Sequence, residues 1–87
     1  GNIEGSISKY QQVIASSTDN YDAYGELGNV YLSSGKYREA ASAYFEAASI
    51  LVKLGQTGRA GSLLPMLERL DRNKAEELRQ LINTASS

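Results

Sequence analysis

Residues Tyr21 to Leu54, YDAYGELGNVYLSSGKYREAASAYFEAASILVKL, decide the fold. Tyr24, Leu27, Gly28 and Tyr31 recur at helical spacing, and so do Tyr37, Ala40, Tyr44, Ala47, Ala48 and Leu51. Two amphipathic helices therefore flank a turn at Gly35, the second starting at once near Lys36. Gly35 suits the left-handed residue that ends a helix, and Asp19 or Asn20 suits the cap that starts the first of the two. So short a connection sets the helices antiparallel.

Moving outward, Ile3, Ile7, Tyr10 and Ile14 predict a helix before this stretch. After it, Gly55 closes the preceding helix. A further helix is expected through Ala60, Leu63, Leu64, Leu67 and Leu70, with Thr57 as its cap. A last one follows through Ala75, Leu78, Leu81 and Ile82, with Asn73 and Glu76 as a capping-box-like start. Pro65 predicts a kink inside the first of these two, because it removes the bond to the Gly61 carbonyl at a cost of about 3 kcal/mol. Gly58 and Gly61 weaken that helix by about 1 kcal/mol each, making it the least stable element. No stretch alternates long enough to be a strand.

The 87 residues are 41% hydrophobic and 22% charged, the composition of one small domain. Net charge is −1: four basic and six acidic residues up to Leu54 give −2, and five basic and four acidic beyond it give +1. So weak a field argues against electrostatic binding to nucleic acid or anionic lipid. With no Cys and no His, thiolate chemistry, structural zinc and imidazole acid–base catalysis are excluded. Apolar runs are too short for a membrane span or a signal peptide, and the chain is expected in the cytoplasm.

Gly1, Ser6, Tyr10 and Val13 are echoed 34 residues later by Gly35, Ala40, Tyr44 and Ala47. With this period, residues 21–54 resemble one complete unit of the tetratricopeptide repeat family. Tyr24, the Leu27-Gly28 pair, Tyr31, the Gly35 turn with Tyr37, and the series Ala40, Tyr44, Ala47 match that family's pattern. Gly28 and Ala40 lack bulk, so two backbones can approach while Tyr24, Tyr31 and Tyr44 fill the flanks. Val52 stands where the family usually has a Pro, so this helix is expected to run to Leu54. Gly1 enters at the inter-helix turn, which reads as a piece of a longer array. The resemblance implies an all-α fold of antiparallel helix-turn-helix units stacked as a short right-handed α-solenoid of about five helices. Residues 1–17 supply the second helix of a partial repeat, 21–54 the complete repeat, and 56–84 a degenerate closing pair.

The resemblance also implies a ligand groove along the exposed face of the first helix of the unit: Asp22, Gly25, Glu26, Asn29, Leu32 and Ser33. Asn29 matches the asparagine that some members use to hold a peptide backbone. Gly25, Glu26 and Ser33 stand where a carboxylate clamp wants cations or amides. That face carries two carboxylates and no cation, which favours an extended peptide bearing Lys or Arg. Phe45 and Ile50 sit beside the main stripe of their helix and are expected at the surface, as a patch for self-association. Tyr10, Tyr24, Tyr31, Tyr37 and Tyr44 read as packing residues, with Tyr21 the freest. The carboxylate pairs Asp19/Asp22 and Glu76/Glu77 read as charges at helix starts rather than as an acid–base or metal site, since adjacent Glu residues diverge around a helix. Gly55, Gly58 and Gly61 are in the wrong order for a phosphate loop. Arg69, Arg72, Lys74 and Arg79, interleaved with acids, read as a solvated, ion-paired surface.

The expectation is a non-catalytic scaffold without cofactor or metal, binding a protein or peptide. The alternative is a structural repeat segment that stacks on further repeats or on a second copy.

Overall fold

Gly35 and Gly55, both at positive φ (+79° and +80°), divide the chain by the same device. After Gly35, the Lys36 amide donates to the Tyr31 carbonyl (2.9 Å) and the Gly35 amide to that of Leu32 (3.2 Å). After Gly55, the Gln56 amide donates to Leu51 (2.8 Å) and the Gly55 amide to Val52 (3.0 Å). Each pair is a Schellman closure, which satisfies two terminal carbonyls and needs a left-handed residue at its centre. The computed structural model describes Gly5, Ile7 and residues 20–86.

Within residues 20–86, five helices follow one another: α1 (Tyr21–Ser33), α2 (Tyr37–Lys53), α3 (Thr57–Gly61), α4 (Leu64–Leu70) and α5 (Arg72–Ser86). No strand occurs among the described residues, and none of their helices is long and apolar enough to cross a membrane. Gly5 and Ile7 are helical. The remainder of the helix expected before Tyr21, with Asp19, Tyr10 and the earlier half of the 34-residue echo, lies outside the described residues.

The core is built on α2, whose run of alanines lets neighbours come close. Ala40, Ala41, Tyr44, Ala48 and Leu51 cluster with Ala60 of α3, Leu67 of α4, and Ala75 and Leu78 of α5. α1 packs along α2, and α5 closes the other side against α2, α3 and α4. As expected, α2 runs to the end of the apolar stripe, with Leu54 as its cap residue.

Five local expectations are corrected. Pro65 does not kink a helix; the helix ends at Gly61 and a new one starts at Leu64. Placed in the first turn of α4, Pro65 lacks an N–H that would have had no intrahelical partner anyway, and it avoids the clash with the Gly61 carbonyl that a continuous helix imposes. Bonds from Ser62 to Arg59 and from Leu63 to Ala60 tighten the intervening turn. The region 56–84 is consequently three helical segments rather than a pair, with the last continuing to Ser86.

The cap of α5 is Asp71, not Asn73. Its Oδ1 accepts from the amides of Asn73 (3.1 Å) and Lys74 (3.3 Å), the donors left orphaned at a helix start. Glu76 lies beyond this first turn and accepts instead from Arg79 (2.8 Å). Gln56, rather than Thr57, occupies the cap position of α3. Finally, Tyr37 is 57% exposed and is no packing residue: it shares the face of Ala40 and Ala41, but it opens α2 one turn before the cluster begins.

Candidate functional site

On α1, the positions i, i+3, i+4 and i+7 bring Asp22, Gly25, Glu26 and Asn29 onto one face, which forms a wall of an open cleft of about 320 Å³. The opposite wall comes from Tyr44, Ala47 and Leu51 of α2. Arg59, Ser62 and Leu63 close one end, and Tyr21 stands at the same end from the α1 side.

Tyr44 fixes the geometry of the middle. Its ring lies on the α1 backbone at Gly28, and its hydroxyl donates to Asn29 Oδ1 at 2.5 Å. The ring is 3% exposed, and burial, assisted by the Glu26 carboxylate, raises the phenol pKa above its ordinary value. Tyr44 therefore stays a neutral donor at physiological pH. Because the amide of Asn29 spends its acceptor on Tyr44, its two N–H donors are what it can offer a ligand.

Arg59 organises the end of the cleft. Its Nη1 donates to the Tyr21 hydroxyl (3.1 Å) and to Gln56 Oε1 (2.7 Å), and its guanidinium lies 4.9 Å from the centre of the Tyr21 ring. This is a cation–π seat with two neutral acceptors, so the positive charge is oriented without being neutralised. Tyr21, expected to be the least committed tyrosine, is the partner that holds it.

Of the groove residues expected from the sequence, Asp22, Gly25, Glu26 and Asn29 line the cleft. Leu32 and Ser33 do not: Leu32 packs against the core cluster, and Ser33 is exposed at the end of α1. The α1 face itself carries no cation, but Arg59 of α3 brings one to the end of the cleft. A weak cue was present, since Gly55 repeats the Gly35 turn and sends the chain back along α2 toward the start of α1.

The self-association pair separates. Ile50 is 6% exposed, on the same buried stripe of α2 as Ala43 and Ala47, so its expected exposure is corrected. Phe45 is half-buried against the core, with Lys74 Nζ 5.3 Å from the centre of its ring. It borders an apolar groove with Val52 and Leu81, between α2 and α5.

Elsewhere among the described residues, most charged side chains pair or stand in solvent. Arg79 bridges Glu68 and Glu76, all three partly exposed, the kind of pairing that contributes little to stability. Among the described residues, no three carboxylates gather where they could hold a metal ion.

No family profile, curated protein or solved structure matches the chain.

Proposed function

We propose that this chain is a non-catalytic scaffold of the tetratricopeptide type, a short right-handed solenoid, that binds an extended protein or peptide segment in the cleft between α1, α2 and α3. The cleft itself carries the reading: it is open, and polar side chains project into it from several elements. Supporting the repeat architecture, residues Asn20, Lys36 and Gln56 precede α1, α2 and α3 with nearly the same backbone (φ −107° to −91°, ψ 58° to 72°).

The ligand chemistry follows from the charges. Asp22 and Glu26 attract a Lys or Arg side chain, the Asn29 amide donates to a backbone carbonyl, and Arg59 donates to a carboxylate or carbonyl at the other end. A segment with a basic residue near its middle and an acceptor at one end fits this arrangement. Labelled peptide pools, basic, acidic and mixed, titrated at low and moderate salt, test it. The expected result is preference for the mixed and basic pools, lost in Asp22→Ala/Glu26→Ala and weakened by salt. Equal binding of all pools by the parent and this variant would reject the cleft as the site.

The apolar groove bordered by Phe45, Val52 and Leu81 favours a second reading, in which the segment stacks on a second copy of itself; Leu81 is 40% exposed. Sedimentation of the parent and Leu81→Glu at several concentrations separates the two readings. A parent that is monomeric throughout removes the second.

A further inference from the structure

Ser62 is the one serine or threonine of this chain with a basic residue, Arg59, three positions before it. It lies in the turn between α3 and α4, is exposed, and lines the cleft together with Arg59. Its Oγ donates to the Arg59 carbonyl (2.6 Å), a local bond that stabilises the turn and is replaceable by water. From this placement we propose that Ser62 is a phosphoacceptor for a protein kinase selective for basic residues, and that its phosphate resets the charge of the cleft.

Access to a kinase is built into the local sequence. The enzyme must take the acceptor segment out of its helical turn, and α3 is only five residues long, with Gly58 and Gly61 each weakening it by about 1 kcal/mol relative to Ala. A Cβ added at Gly58 would meet nothing within 4 Å, so the glycine answers no packing demand there. The segment therefore opens at lower cost than α1 or α2, whose closures are both Schellman motifs. Arg59 is exposed and, among the described residues, is bonded to the neutral Tyr21 and Gln56, which it can leave to enter an acidic kinase subsite.

The chemical step balances with a nucleoside triphosphate as co-substrate. The Ser62 oxygen forms a bond to the γ-phosphorus while the bond from that phosphorus to the bridging oxygen breaks. The hydroxyl proton passes to the kinase's base, and the nucleoside diphosphate leaves.

The consequence rests on the cleft being the ligand site. With Asp22, Glu26 and Arg59 the lining carries one net negative charge. A phosphate adds about 1.5 to 2 more at neutral pH, and it competes with Tyr21 and Gln56 for the Arg59 guanidinium. The cleft is thereby turned from mixed to strongly acidic. At about 10 Å in water, two added charges change affinity for one cationic side chain by roughly fourfold before screening. Phosphorylation should accordingly tighten the basic pool and loosen the acidic one, by about two- to fourfold each.

The test treats the folded chain with ATP and an arginine-directed serine kinase, locating the label by mass spectrometry. Incorporation at Ser62 in the parent, none in Ser62→Ala, and at least a tenfold slower rate in Arg59→Ala with an unchanged circular dichroism spectrum support the proposal. Label elsewhere, no label, or a rate indifferent to Arg59 overturns it. Titration of the phosphorylated chain with the peptide pools then reads the charge effect. Unchanged affinities in a chain whose parent binds peptides overturn the regulatory part. A parent that binds no peptide rejects the cleft reading instead, and the labelling result still decides whether Ser62 is the acceptor.

Discussion

The Tyr44 ring occupies the space that a side chain at Gly28 would need: a Cβ built on Gly28 would lie 2.7 Å from Tyr44 Cε1 and 2.9 Å from Cζ. The glycine in α1 thus exists for the tyrosine in α2. The ring cannot swing aside cheaply, because it is buried in the core cluster and tethered through its hydroxyl to Asn29. Gly28→Ala should therefore destabilise the fold by about 1–3 kcal/mol despite the helix propensity it gains. Gly25→Ala, in the same helix with nothing within 4 Å of the added Cβ, should be stabilising by up to about 1 kcal/mol. Urea denaturation of the two variants measures the difference, and equal midpoints would dissolve the link between Gly28 and Tyr44.

Tyr44 also makes stability depend on pH in the alkaline range. Burial raises its folded pKa above the unfolded value near 10, so the folded state keeps the phenol proton longer than the unfolded one. Its contribution is complete below about pH 10 and disappears as pH rises through the raised value. Tyr44→Phe should lose about 0.5–1.5 kcal/mol at neutral pH, from the Asn29 bond, and should show a shallower alkaline decline than the parent. Absorbance titration of the phenols provides an independent reading: the late-titrating phenol of Tyr44 in the parent should be missing from the variant's curve.

How much of this was legible in the sequence varies with the physical signal. Helical periodicity and the two glycine closures are local, and they placed α1 and α2 and the end of α2. The α1 wall of the cleft followed from the same periodicity. What sequence spacing could not supply was contact between elements far apart along the chain. Arg59 reaches Tyr21 across 38 residues, and only the weak cue of the Gly55 turn points that way. Leu32 illustrates the complementary error. It is one turn beyond the lining residues, but it packs half-buried against the core cluster. Ile50 failed for a related reason, because buried alanines widen the apolar stripe of α2 beyond what its large residues suggest. Pro65 was read by its cost inside a helix, whereas the chain avoids that cost by starting a new helix.

At the start of α5 the two candidate caps give opposite expectations. Asp71 accepts two orphan amides and its carboxylate also faces the positive end of the helix dipole, so Asp71→Ala should cost about 1 kcal/mol. Asn73→Ala removes a side chain from an exposed position inside the first turn and should be neutral within about 0.5 kcal/mol. Thermal melts of both variants decide which residue caps the helix; the reverse order would restore Asn73.

Pro65 distinguishes a broken helix from a bent one. In a continuous helix its replacement by Ala would restore a backbone bond and relieve a clash, stabilising the fold by about 3 kcal/mol. In the first turn of α4 neither gain is available, because the amide there has no carbonyl one turn back to reach. Pro65→Ala then acts mainly on the unfolded chain, which gains freedom when the ring is lost, and the expected result is a destabilisation of about 0.4–1 kcal/mol. The sign of the change is the informative quantity. Since Pro65 is exposed, its replacement opens no cavity to confuse the measurement. Chemical denaturation of parent and variant reads it directly. A large stabilisation would mean that Ser62 and Leu63 belong to one bent helix, and the acceptor turn inferred for Ser62 would lose its structural basis.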